Sequence, residues 1–214
     1  MKPIAGGPEL SRRYTGPASS GDIQRLKDRT TEDFVVKIPP GGFYVTTEDN
    51  EVLTTVLGSC VSACIRDPYA NVGGMNHFLL PDGDGAKTPL SSVTRFGNFA
   101  METVINEILA RGGQRNRLEI KIFGGSNMFE SSTIAIGDEN VEFVENYLRN
   151  EGIAIAAKHV GGKQARRLHY WPLLGKARML LLGPQIERTL VQDEQTYRKL
   201  LASKPVDGGV DLFD

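Results

Sequence analysis

One short stretch of this chain holds the residue types that acyl transfer needs. Cys60 ends the run Thr54-Thr-Val-Leu-Gly-Ser-Cys60, and His77 ends Gly73-Gly-Met-Asn-His77, seventeen positions later. A thiol is a weak nucleophile until an imidazole takes its proton, which is why cysteine hydrolases pair Cys with His. The base in turn needs a partner for its second ring nitrogen, and a hydroxyl such as that of Thr54 serves where no Asp or Asn is placed to do so. Gly58 and Ser59 are small, leaving room beside the thiol for a substrate carbonyl, and glycine permits a turn that exposes the sulfur. Backbone amides near Ser59 and Cys60 are the expected oxyanion donors.

Residue type alone also supports a plainer reading. Cysteine is among the most buried residues, so a lone Cys in VLGSCVSAC is more often core than nucleophile. A histidine in MNHFLLP can be satisfied by a hydrogen bond within a hairpin, and threonine favours strands. The chain between the two residues is what makes a pair credible. DPYANVGG supplies turn residues, so 60–66 and 74–80 read as an antiparallel hairpin. With its turn centred near Tyr69, Cys60 falls opposite a residue within about three positions of His77. The face each side chain occupies follows from a register that the sequence leaves open.

The surrounding elements read as an α/β domain. FVVKI, FYVTT and EVLTTVLG are short apolar segments rich in β-branched and aromatic residues, hence strands. Over 95–111, Met101, Val104, Ile105, Ile108 and Leu109 recur at helical spacing, and Gly112-Gly113 ends the run. LEIKIFGG is a strand closed by Gly124 and Gly125, a pair that either simply turns the chain or also lines the substrate cleft. Asp138 caps a second helix carrying Val141, Val144, Tyr147 and Leu148 on one face and closed by Gly152. IAIAAKHV, RLHYWPL and ARMLLLG are further strands, and a third helix runs from about 184 to 202 with Pro184 in its first turn. Many strands and three helices without strict alternation predict a layered α/β sandwich, with a mixed, largely antiparallel sheet covered by about three helices. Residues 1–33 read as an arm, disordered or docked, with at most a helical turn over 23–29. The folded domain spans 34–203, and 204–214 is a polar tail.

Composition narrows the function classes. The 214 residues carry 25 Lys and Arg against 26 Asp and Glu, so no global field recruits nucleic acid or an anionic membrane. No apolar run approaches the ~20 residues of a membrane span, and MKPIAGGPELSRRY lacks the apolar stretch of a signal peptide. A cytoplasmic location without membrane insertion is therefore expected. Cys60 and Cys64 are expected to be free thiols, since on one strand their Cα atoms stand about 13 Å apart and a disulfide spans about 4.4 to 6.8 Å. HVGGKQAR fails as a phosphate loop, with Ala157 where the first glycine belongs and Gln164 where Ser or Thr should bind magnesium. PDGDGA fails as a calcium loop at Ala86. Three histidines and a single cysteine pair make no zinc pattern, so neither cofactor nor metal is expected.

TTVLGSCVSACIRDP, VGGMNHFLLP and KIFGGSNMF together resemble the CheD family of chemoreceptor glutamine deamidases, over about 34–182. The family's pattern of Thr-x5-Cys with a histidine seventeen residues on is met by Thr54, Cys60 and His77. The resemblance implies that Thr54 orients His77 and His77 activates Cys60. The carboxamide of a glutamine on a methyl-accepting chemotaxis receptor is then attacked to release ammonia, and water hydrolyses the thioester to leave glutamate. Gly58, Ser59, Gly124 and Gly125 would line the substrate cleft. The resemblance also implies a CheC-type phosphatase as a partner, and a non-enzymatic regulator docking on it or on receptors as the alternative function. Lys158, His159, Lys163, Arg166, Arg167 and His169 form a basic cluster, either a solvated strand edge or a surface for acidic receptor helices. The segment WPLLGKARM and the arm before Phe34 have no counterpart in the family pattern.

Overall fold

Alternation of side chains along the strands around Cys60 decides how the molecule is layered. The structure, a computed structural model, describes residues 14–15, 22–80, 90–128, 136–183, 190, 192, 194–197 and 201. One sheet has six strands in the order β1 (Tyr14–Thr15), β4 (Gly42–Thr46), β7 (Val72–Asn76), β6 (Val61–Asp67), β8 (Glu119–Gly124) and β9 (Ile155–Val160). The other has five, β11 (Lys176–Leu181), β10 (Arg166–Trp171), β5 (Glu51–Leu57), β3 (Phe34–Lys37) and β2 (Gln24–Lys27). Among the described residues only β3 with β5 and β8 with β9 pair in parallel. The sandwich is thus mixed and largely antiparallel as expected, with its strands divided over two sheets.

Odd and even positions of β6 point into different cores. Val61, Ala63 and Ile65 pack with Phe78 under the helices α1 (Leu90–Ala110) and α2 (Ile136–Asn150), against Met101, Val104, Ile105, Ile108, Val144 and Leu148. Cys60 and Cys64 face the other way, with Met75 and Leu79, onto Leu53, Leu57, Leu168 and Tyr170 of the five-stranded sheet. The order of layers is helices, six-stranded sheet, five-stranded sheet. Each fully buried leucine in the inter-sheet core contributes about 1.5 to 3 kcal/mol. The hairpin forms as expected, with Cys64 opposite Met75 and Asp67 opposite Val72.

Two local readings change. Residues 24–27 form an edge strand antiparallel to β3 rather than a helical turn. Arg25 fixes that strand, donating from Nε to the buried Glu51 carboxylate at 2.5 Å and lying 3.5 Å over the Phe34 ring. Helix α2 starts at Ile136, placing Asp138 in its first turn, and the cap is supplied from outside: the Gly137 N–H donates to Asn127 Oδ1 at 3.0 Å. Of the expected third helix, residues 190, 192, 194–197 and 201 are helical. The segment PDGDGA and the tail 204–214 lie outside the described residues. Among the described residues no helix is long and apolar enough to cross a membrane.

Candidate active site

The link from β5 to β6, residues 58–60, is held by its carbonyls. Gly58 O accepts from Ser126 N–H at 2.7 Å, Ser59 O from the Asn140 side-chain amide at 3.1 Å, and Cys60 O from Gly125 N–H at 2.7 Å. In a trans peptide the N–H points opposite the carbonyl. The anchored Gly58 and Ser59 carbonyls thus turn the Ser59 and Cys60 N–H groups the other way, and these two, together with the Gly58 N–H, meet one carboxylate, that of Glu194, at 3.2, 3.5 and 3.1 Å. Such a nest of convergent amides binds anions and stabilises a developing oxyanion.

Gly124 and Gly125 support this link from behind. A Cβ on Gly124, whose φ is +114°, would stand 2.1 Å from Cys60 O, and one on Gly125 would meet Val141 at 2.3 Å. The glycines therefore let β8 approach the cysteine backbone. Beneath them Arg166, grouped by sequence with a basic cluster, is turned inward at 1% exposure. It donates to Ser126 Oγ at 2.7 Å and to His159 O at 2.5 Å, which fixes the 126 loop that clamps Gly58. Burial lowers its pKa from the ordinary value.

His77 lies at the end of β7, held by its own backbone to Gly41 and Gly42. The bridge between Val61 and Phe78 continues the hairpin register, so Cys60 stands opposite Leu79, two residues from His77 on the same inter-sheet face. Diagonal neighbours of this kind are within reach of a long side chain. Cys64 shares the face, but burial raises its pKa far above the usual thiol range, which leaves it inert at neutral pH. Neither cysteine forms a disulfide.

The hydroxyl on His77 belongs to Thr55. Thr55 Oγ1 is 2.7 Å from His77 Nδ1 and 2.8 Å from the Ile38 carbonyl. Thr54, the expected partner, points to the opposite face of β5 and donates to Leu168 O at 2.8 Å. Side chains alternate along a strand, so adjacent threonines cannot share a face. Thr55 has the parity of Leu53 and Leu57, both of which lie in the inter-sheet core. A carbonyl only accepts, so the Thr55 hydroxyl proton goes to Ile38 and its oxygen accepts from Nδ1–H. That network assigns the tautomer in which Nε2 carries the lone pair. Nε2 is buried and has no hydrogen-bond partner among the described residues.

Burial holds the His77 imidazole down to about 4 from its ordinary 6.5, against the opposing effect of the Ile38 backbone. The ring is therefore neutral at physiological pH, as a base must be. An unfolded chain takes up this proton near 6.5 and the folded one only near 4, so the unfolded state binds more protons between those values. The stability that His77 contributes is present above 6.5 and lost as the pH falls through that window, about 3 kcal/mol in all. Urea unfolding at pH 7 and pH 4 should show the wild type losing about 3 kcal/mol more than His77→Gln. Equal losses would mean that the imidazole is not buried neutral.

Sequence reasoning placed Cys60, His77, Gly58 and Ser59 in one site, and the structure brings all four to the β5–β6 link and the facing strand end. It missed Thr55, Asn140, Ser126, Arg166 and Glu194. Among the described residues no cluster of His, Cys, Asp or Glu suits a metal ion.

The family model for CheD chemotactic sensory transduction matches residues 79–180. The chain is 46% identical over 202 residues to the probable chemoreceptor glutamine deamidase CheD of Rhodopseudomonas palustris (strain BisA53), covering 92% of this chain and 94% of that one. It is 46% identical over 198 residues to the probable chemoreceptor glutamine deamidase CheD of Halorhodospira halophila (strain DSM 244 / SL1), covering 90% and 91%. Among solved structures, the Bacillus licheniformis hypothetical protein YfiH aligns at a TM-score of 0.37 and 15% identity over 54% of this chain and 49% of that one. Identity approaching one half over nine-tenths of both chains makes this protein a member of the CheD family.

Proposed function

We propose that this protein is a cysteine-dependent amidohydrolase that converts glutamine side chains of chemoreceptors to glutamate with release of ammonia. The observation that carries the reading is the site itself. A neutral imidazole with Nε2 open shares a buried face with Cys60, beside three backbone N–H groups that converge on one carboxylate-sized position.

His77 Nε2 takes the Cys60 proton, and Thr55 holds the ring by Nδ1 in the required tautomer. The thiolate attacks the glutamine Cδ, and the carbonyl oxygen gains charge inside the nest of residues 58–60. One such donor is typically worth about 10² to 10³ in rate. His77 returns the proton to the departing ammonia, and a water molecule activated by the same nitrogen cleaves the thioester. No step needs a cofactor. A second role, docking on a CheC-type phosphatase, is supported by the family resemblance alone, and co-purification of the two proteins tests it. The experiment that tests the enzyme is incubation with the cytoplasmic helical hairpin of a chemoreceptor from the same genome, with site-resolved mass spectrometry of its glutamines. Conversion to glutamate is the expected result, and unchanged glutamines at every site would refute the reading.

A further inference from the structure

The nest beside Cys60 is occupied by the chain's own Glu194. The residue is 2% exposed, and besides the three N–H groups its carboxylate receives the Ser59 hydroxyl at 2.7 Å. No Lys, Arg or His forms an ion pair with it among the described residues. A buried carboxylate is costly unless its oxygens are satisfied, and here the amides of the nucleophile's own loop satisfy them. Gly58 makes the approach possible, since a Cβ there would stand 2.6 Å from Glu194 Oε1.

Glu194 is on a helical segment whose one face enters the site. Tyr197 and Leu201, at i+3 and i+7, are buried in the inter-sheet cluster that contains Cys60, while Gln192, Gln195 and Thr196 are exposed. The chain thus presents a glutamate on a helix, with two apolar anchors, to a site read above as making glutamate on helices. Glutamate is the product of that reaction, and the contacts of Glu194 are those the product's carboxylate would make.

We propose that the segment containing Glu194, Tyr197 and Leu201 is an internal product mimic, which a receptor helix must displace by presenting glutamine at i and apolar side chains at i+3 and i+7. The proposal rests on the deamidase reading. Being tethered, the mimic competes at high effective concentration, so the apparent affinity for receptor falls by the fraction of chains in which it is seated.

The substitution Glu194→Gln turns the mimic into a substrate in cis. Cys60 Sγ bonds to the new side chain's Cδ, the C–N bond breaks, and ammonia leaves with the proton held by His77. Water then splits the thioester, restoring the thiol and a glutamate at 194. The full-length E194Q protein should therefore revert to glutamate at that position, seen by peptide mass spectrometry, and the double variant C60A/E194Q should not. In parallel, E194A should raise kcat/KM for the receptor hairpin about tenfold or more, mainly through KM. If the wild type deamidates the receptor while E194Q keeps its amide and E194A is no faster, the proposal is overturned and the enzyme reading stands. If the wild type converts no receptor glutamine, the enzyme reading fails and takes this proposal with it.

Discussion

Replacing Cys60 by alanine should lower receptor glutamine conversion by about four orders of magnitude or more, to the level of the uncatalysed reaction plus what the nest alone provides. The magnitude follows from the site's composition. Cys64 is the only other thiol, and burial keeps it protonated. Ser59, within the nest, has its hydroxyl engaged as a donor to Glu194. Neither Cys64 nor Ser59 can stand in as the nucleophile, so the loss should appear in kcat, with receptor binding retained. The variant should also remain folded, since Cys60 to alanine removes a single buried sulfur, worth about 1 kcal/mol or somewhat more. Ammonia release and receptor mass, measured together, check this.

The second large effect separates two adjacent threonines. Thr55→Val should reduce kcat about 10- to 100-fold with little change in KM, because His77 loses the group that fixes its tautomer and ring orientation. Thr54→Val removes only a hydrogen bond to the Leu168 carbonyl. It should leave kcat within about twofold and cost about 1 kcal/mol of stability. Thr55→Ser should restore most of the rate, which a purely packing role for the side chain would not predict. Thr55 is thus a positioning residue, acting through the base. A rate loss at Thr54 with none at Thr55 would contradict the geometry.

These two residues also mark where the sequence stopped being readable. The hairpin that carries Cys60 and His77 was legible because the turn residues in DPYANVGG fix where it folds. Which threonine faces the histidine depends on strand parity, and a one-residue slip exchanges the two faces. The signal was present in EVLTTVLG, where Leu53, Thr55 and Leu57 alternate, but the neighbouring Val52 and Val56 blur the period. The division into two sheets was hidden for a related reason. Residues 61–65 of β6 are buried on both faces, so its sequence shows no alternation that would tell a sandwich strand from one in a single covered sheet. β2, with the sequence QRLK, has almost no apolar signal, and its pairing rests on Arg25 reaching a buried glutamate. Glu194 was the hardest to find. Its only mark in the sequence is an acidic residue in helical phase with Tyr197 and Leu201, which on an ordinary amphipathic helix would be an error and here faces three backbone donors.

The account's central claim is that Cys60 itself becomes acylated. The most direct test is an acid-quenched reaction of the E194A protein with the receptor hairpin, sampled within the first turnover and examined by intact-mass spectrometry and peptide mapping. The expected result is a thioester between the receptor's glutamyl group and the Cys60 peptide, which rises as ammonia appears and decays as glutamate forms. Turnover of the glutamine with Cys60 unmodified throughout, or unaffected by its alkylation, would contradict the account.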